Sequence, residues 1–361
     1  SINIYNRSKV SLSSLPYPDL RWEKTNQLDA GMNLGILRNK IAATFHVYKK
    51  WGHDLLVEHP VAYENGVSTT YINGGSMNNS GIDLTLRIAP IQTKDITLAL
   101  NTNYAINYNK VLDTTFRSTI ANYLAGNAYA NGRAVDGFYS IPYGGLDNNG
   151  LPILRYTSDK MLPATEYLVY SGQRLPKFQG GFSLMFRYKN LTLSGNFTYQ
   201  VGNHVRLNPL FTGRTAGNRV PTSEANANTQ LVNRWRKPGD ELKTDIPGLR
   251  DYMTPPAVFL PVLGLANSQE RVSLYSLYDL ADTRVVRGDF LKCKSINATY
   301  SFKPGVLQQY RLKGAALNFS VANPFYLASK RLEGQDPETN GLGTASLPIT
   351  PAFTGGFNVT F

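Results

Sequence analysis

Apolar and polar residues alternate with a period of two along most of the chain. In the cleanest run Ile96, Leu98, Leu100, Tyr104, Ile106 and Tyr108 share one face, broken only by Thr102. Thr97, Asn101, Asn103, Asn107 and Asn109 share the other, with the small Ala99 and Ala105. Successive side chains of a strand point to opposite sides, so this pattern predicts strand rather than helix. Leu191, Leu193, Phe197, Tyr199 and Val201 oppose Thr192, Ser194, Asn196, Thr198 and Gln200 in the same way. Ile41 to Val47, Phe182 to Tyr188 and Ala315 to Val321 repeat the theme. These runs are longer than the ~5–6 residues usual in soluble strands. They suit the ~9–11 residues of a tilted membrane strand. The polar face is Asn and Thr rather than Lys and Glu, which fits a hydrogen-bonding lumen better than an open solvent face.

The spacing predicts about ten strands, near 1–10, 25–37, 41–57, 77–90, 95–110, 178–189, 191–205, 288–303, 311–325 and 351–361. Short connections fall at Arg38-Asn39-Lys40, from Pro90 to Lys94, at Lys189-Asn190, and from Lys303 to Gln309. Long ones run near 58–76, 111–177, 206–287 and 326–350. Short turns alternating with long loops predict an all-β, antiparallel transmembrane barrel wall, the long loops being extracellular. A sandwich would show a turn every ~8–12 residues. Short helical turns are expected near Thr115–Leu124 and Ser273–Ala281.

Composition sharpens this. Only 17% of the 361 residues are charged and mean hydropathy is −0.27. There is no run of ~18 apolar residues that would cross a membrane as a helix. Uncharged polar residues and 22 Tyr fill the difference, as in a water-filled barrel with aromatic girdles. The net charge of +12 is dispersed, with no run of four basic residues, and gives no nucleic-acid footprint. The single Cys293 excludes an intramolecular disulfide and reads as a wall residue beside Lys292 and Lys294. No catalytic constellation emerges, so no enzyme is expected, and no cofactor or metal. His46, His53, His59 and His204 lack metal-ligand spacing. Asp147-Asn148-Asn149-Gly150 reads as an Asn-Gly turn rather than a cation loop. The chain opens Ser-Ile-Asn-Ile-Tyr, strand-like and without a secretory leader, and the expectation is that an amino-terminal part precedes it.

The terminal residues add an address. Phe357, Val359 and Phe361 alternate with Asn358 and Thr360. Thr354, Gly356, Val359 and Phe361 fall in a spacing that resembles the terminal signal read by the bacterial barrel-assembly machinery.

A set of further blocks resembles one family. Pro18-Asp19-Leu20-Arg21-Trp22-Glu23-Lys24-Thr25 with Gln27 to Gly31 is similar to the entry of a late strand in SusC-like TonB-dependent transporters. Asp54-Leu55-Leu56 and Asn73 to Asp83 resemble the next pair of blocks. Leu175-Pro176-Lys177-Phe178, Asn233-Arg234-Trp235 with Pro238-Gly239-Asp240, and Gly288-Asp289-Phe290-Leu291-Lys292 follow in order. Ala322-Asn323-Pro324-Phe325 with Gly334-Gln335-Asp336-Pro337-Glu338 resembles the penultimate block, with Pro324 where Leu is usual and Gln335 where an aromatic is common.

The resemblance implies that residues 1–361 are the carboxy-terminal part, about ten strands, of a 22-stranded plugged barrel in the bacterial outer membrane. The plug and earlier strands would lie outside this chain. Function by resemblance is TonB-dependent import of oligosaccharides or peptides. The implied partners are the amino-terminal half and plug of the same barrel, a SusD-like surface lipoprotein, TonB with its inner-membrane energising complex, the assembly machinery and the lipid itself. Two other readings stay open: a passive porin-like or structural barrel, and a soluble all-β glycan-binding module.

Candidate contacts follow from position. Asn101, Asn103, Asn107, Asn109, Asn196 and Gln200 would line the lumen, where they could bind a polar solute, hydrate the wall or hold a plug. Tyr139, Tyr143 and Trp235 could stack on sugar rings or peptide side chains. Arg234 and Arg236 would suit acidic groups. Trp235 reads equally well as a packing anchor.

Overall fold

A computed structural model describes residues 15–67, 69–114, 118, 120–126, 128–155, 164–211, 227–249, 257–258, 272–309, 311–338 and 350–361. Nine long strands form one sheet: β1 (Lys24–Ile36), β2 (Ile41–Pro60), β3 (Thr69–Gln92), β4 (Ile96–Thr114), β5 (Phe178–Tyr188), β6 (Leu191–Val201), β7 (Phe290–Ser301), β8 (Gly314–Ala328) and β9 (Ala352–Thr360). Each pairs antiparallel with its neighbours in chain order, a plain meander. The strand expected near 1–10 lies outside the described residues. The connection expected at 58–76 is shorter, because β2 runs on to Pro60 and β3 begins at Thr69. The two strands stay paired across most of that span, through bulges that absorb the irregular pattern.

The register makes one face apolar and the other polar across all nine strands. On β8, Leu317, Phe319 and Val321 pair with Phe357, Gly355 and Phe353 of β9. Phe319 is 51% exposed and Phe353 71%. Leu28, Met32, Phe45, Leu184, Phe186, Leu193 and Ile296 are exposed on the same outer surface. An apolar face this extensive is not stable against water and marks contact with hydrocarbon. No helix of the described residues is long and apolar enough to cross a membrane.

Short turns gather at one end. Leu37, Arg38 and Asn39 all adopt positive φ in the β1–β2 turn, and Lys189-Asn190 closes β5 onto β6. Tyr188, Tyr300, Phe302 and Phe361 collect at this end, with Phe302 edge-on to Tyr300 (5.3 Å) and to Phe357 (6.2 Å). Aromatic rings at strand ends suit the interfacial girdle of a barrel.

At the opposite end the long connections fold into a cap with its own core. Helices form at Ile120–Ala125, overlapping the expected Thr115–Leu124, and at Leu274–Asp279, inside the expected Ser273–Ala281. Ile120, Tyr123, Leu124, Tyr139, Ile141, Tyr167 and Leu168 form one buried cluster. Leu277 joins it from the other long loop, so the two loops share a core. A ribbon of His204–Arg206 against Val285–Arg287 carries the β6–β7 pair outward into the cap.

Candidate functional site: the lumen wall and its cap

The polar face carries a ladder of uncharged side chains running from strand to strand. Thr44 donates to Asn33 (2.8 Å), Asn101 to Ser183 (3.3 Å) and Asn196 to Ser295 (2.9 Å). Asn103 accepts from the Gly181 amide (3.0 Å). Further round, Ser320 donates to Asn297 (2.7 Å) and Thr299 to Asn318 (2.9 Å). A shallow depression of about 390 Å³ is lined by Thr85, Asn101, Asn103, Ser183, Asn196 and Thr198. Each amide in the ladder keeps further donor or acceptor capacity for a solute.

The six expected lumen residues fall on this face. Asn101, Asn103, Asn107 and Asn196 are exposed there, and Gln200 is half-buried. Asn109 does something else as well: it donates to Asn79 (2.5 Å) and accepts from the Val135 amide (2.9 Å), docking the cap onto the wall. Ser183, Ser295, Asn297, Asn318 and Ser320 complete the ladder and were not singled out from sequence. Their signal was present as cross-strand neighbours of the Asn positions, which only the register reveals.

Two of the three loop aromatics, Tyr139 and Trp235, are buried in packing within the cap. Tyr139 is buried, packed edge-on between Tyr123 (4.7 Å) and Tyr170 (5.4 Å). Burial pushes its phenol well above the usual range. Trp235 is buried, donates from Nε1 to Glu241 (3.0 Å), and lies against Gly150 and Gly248. A Cβ at Gly150 would come within 2.4 Å of the indole. Tyr143 is half-buried, donates to the Asp245 carbonyl (2.8 Å) and packs edge-on to Tyr278. Neither Tyr139 nor Trp235 offers a ring face outward. Loops this long must bury apolar groups to hold a shape, and their large rings are the best available. Arg234 and Arg236 donate to the Leu231 and Val232 carbonyls of their own turn (2.9 and 2.7 Å), and Arg236 remains exposed. Asp147 caps its own turn through the Asn149 and Leu151 amides, as expected of an Asn-Gly turn.

The chain is similar to known proteins along nearly its whole length. No family model matches it. TonB-dependent receptor P3 of Formosa agariphila is 24% identical over 391 residues, covering 98% of this chain and 35% of the relative. TonB-dependent receptor SusC of Bacteroides thetaiotaomicron is 26% identical over 363 residues, covering 95% and 32%. The solved RagAB peptide importer in its closed-closed state superposes with TM-score 0.74 at 23% identity, over all of this chain and 38% of that one. A second RagAB peptide transporter structure gives 0.73 at 24% identity, over 97% and 37%. Over nearly its whole length the chain is thus similar to TonB-dependent receptors, SusC among them. It spans about a third of the length of the curated relatives it matches.

The sheet superposes on the barrel wall of the RagAB structures, and the sequence blocks that resemble the SusC-like family turn out to be joints of that wall. Asp289 accepts the Gly202 amide (2.6 Å) where the ribbon leaves the sheet. The Leu175 amide donates to Asp136 of the cap. Lys292, buried on the inner face of β7, pairs with Glu338 and with Asp336 (3.4 Å), and Lys294 reaches Glu338 at 3.0 Å. Two blocks 44 residues apart are thus one latch that holds the last loop to the wall.

At Glu338 burial raises the carboxyl, but hydrogen bonds from Lys292 and Lys294 overcome it and hold the group below the ordinary range. A depressed acid contributes stability above its ordinary pKa, and loses it as pH falls through the folded value. Acidification below pH ~4 is therefore expected to loosen 330–338 before the strands. Hydrogen exchange of that segment would show it, and unchanged protection would refute the latch.

Thr354, Gly356 and Val359 lie on β9, an edge of the sheet, and Phe361 follows directly after it, 80% exposed.

Proposed function

We propose that the whole protein imports oligosaccharides or peptides across the bacterial outer membrane, driven through TonB, with a SusD-like lipoprotein seated on the cap. The two edges of the sheet, β1 and β9, have no further strand partner among the described residues. In this reading they are met by the remaining strands of a larger barrel that holds a plug. Residues 1–361 would then be the carboxy-terminal part of one barrel domain, its long loops outside the cell. The supporting observation is the two-sided register. A lipid-compatible face and a polar, hydrogen-bonding face run through nine strands whose fold matches that of RagAB. Asn101, Asn103, Asn107, Asn196 and Gln200 would touch the passing solute or the plug, and Arg236 acidic groups at the mouth. The barrel-assembly machinery would read β9 through Thr354, Gly356, Val359 and Phe361. No enzymatic step, cofactor or metal is part of this reading.

Uptake of a labelled peptide and a labelled maltooligosaccharide would be followed in cells with and without TonB. Accumulation of one class that requires both this protein and TonB is expected. Uptake that persists without TonB would favour the passive porin. The exposed apolar face already disfavours the soluble glycan-binding module.

A further inference from the structure

Three sequence blocks converge on one place in the outer half of the wall. Asn73 is the hub: its amide donates to the carbonyls of Arg21 (2.8 Å) and Asp54 (2.6 Å), and its oxygen accepts the Arg21 amide (2.7 Å). Asp54 takes φ +55° in a bulged stretch where the β2–β3 register slips twice. Arg21 and Lys24 fix its carboxylate at 3.1 and 3.4 Å. A third slip lies between Ser76 and Met77 against β4. Bulges re-aim side chains, and these bring apolar groups onto the face that is polar elsewhere.

The result is a depression of about 230 Å³ walled by Leu55, Val57, Met77, Val111, Tyr129 and Val135. It opens on the lumen side. Gly52 and Met77, paired with each other, continue the inner-face positions Lys50 and Asn79, and a Cβ at Gly52 would lie 3.5 Å from Met77. A Cβ at Gly75 would lie 3.3 Å from both Leu55 and Val57. Its cap side is fixed, not loose: the Val111 backbone bonds Gly132 (2.8 Å) and Arg133 (2.9 Å), and Asn109 holds the Val135 amide. Two carboxylates, Glu23 and Asp113, belong to its lining, and Glu23 accepts the Leu56 amide (2.8 Å).

We propose that this depression is a side-chain subsite for peptides, taking one large aliphatic or aromatic side chain and favouring a basic neighbour beside it. The proposal rests on the transport reading and narrows its cargo. The volume is below the ~300–1,000 Å³ of sites that enclose a whole small molecule, so it takes a part of a longer ligand. Waters against Leu, Val and Met walls find few partners, and an apolar group displaces them favourably. An oligosaccharide carries no such group and would use the Asn and Ser ladder instead. The two carboxylates disfavour an acidic residue next to the anchor.

The test uses the full-length transporter in detergent and three probes: a Gly/Ser heptapeptide carrying one Lys-Leu pair, the same peptide with Leu replaced by Ser, and maltoheptaose. Binding is measured by calorimetry for the wild type, for Val135→Phe, which fills the space, and for Val111→Thr, which makes its wall polar at constant size. Heat-modifiable gel mobility confirms that each variant is folded. The wild type is expected to bind the Leu peptide on the order of tenfold more tightly than the Ser peptide. Both variants should erase that preference and leave maltoheptaose unchanged. No preference in the wild type, or one retained in Val135→Phe, overturns the subsite. TonB-dependent uptake of maltoheptaose alone would overturn the subsite and leave the transport reading standing. TonB-dependent uptake of none of the probes would remove both.

Discussion

Replacing Asp279 with alanine is expected to melt the cap while leaving the barrel wall folded. Asp279 is 6% exposed and accepts the Leu210 (2.9 Å) and Phe211 (3.0 Å) amides. It faces Arg284, which donates to Gln230 (2.7 Å) and to the Asn208 carbonyl (2.6 Å). Arg206, equally buried, reaches Tyr139 and Ser140, and burial pushes its guanidinium down to about 10 against the pull of Asp279. Without the carboxylate, two buried amides lose their acceptor and the buried Arg284 and Arg206 lose the opposing charge between them, a loss of about 3–5 kcal/mol. Hydrogen exchange should rise at 205–211 and 274–286 while heat-modifiable gel mobility of the barrel stays as in the wild type. Equal protection in the variant would mean that the network is ornamental. The pH response differs from that of the Glu338 latch. Burial pushes Asp279 up to about 6, with the Leu210 and Phe211 amides and Arg284 pulling it down. A raised folded pKa stabilises below the ordinary value, and that contribution is lost as pH rises through about 6. Mild acid should therefore protect the cap core, and only acid below pH ~4 should loosen 330–338.

The wall was legible in the sequence because a barrel strand repeats one rule, apolar out and polar in, over ten or more positions. Ile96 to Tyr108 falls entirely within β4, and Leu191 to Val201 is β6 from end to end. The rule fails where bulges break the period, and this is why 58–76 reads as a loop although β2 and β3 stay paired there. The cap was legible only in its two helices, which carry local signals. Its core depends on contacts such as Tyr139 with Tyr123 and Trp235 with Gly150, between residues whose proximity no periodicity encodes. Aromatic rings in a Gly- and Asn-rich loop suggest ligand stacking when burial is unknown. Burial reverses that inference. The Lys292 latch was hidden for the opposite reason: its partners were both noticed as family blocks, but sequence order does not say that they meet.

Phe319→Arg and Ser320→Arg, one residue apart on β8, are expected to give opposite results. Phe319 lies mid-strand on the outer face, 51% exposed, opposite Ala298 and the open space at Gly355. An Arg there must place its guanidinium in hydrocarbon, at a cost of about 2–4 kcal/mol near the midplane. Ser320 lies on the inner face, where its hydroxyl donates to Asn297 (2.7 Å). An Arg there loses one hydrogen bond, about 0.5–1.5 kcal/mol, and gains a hydrated lumen for its charge. Folding into lipid vesicles under urea titration should show a large fall in stability for Phe319→Arg and a small one for Ser320→Arg. The yield of each in outer membranes should follow the same order. Equal losses would mean that the two faces are not lipid and lumen. A larger loss for Ser320→Arg would mean that the sheet is inside out, with its Asn and Ser ladder turned towards a packed interior. The pair therefore tests the assumption beneath every functional statement made about this wall, namely which side of it the cargo passes.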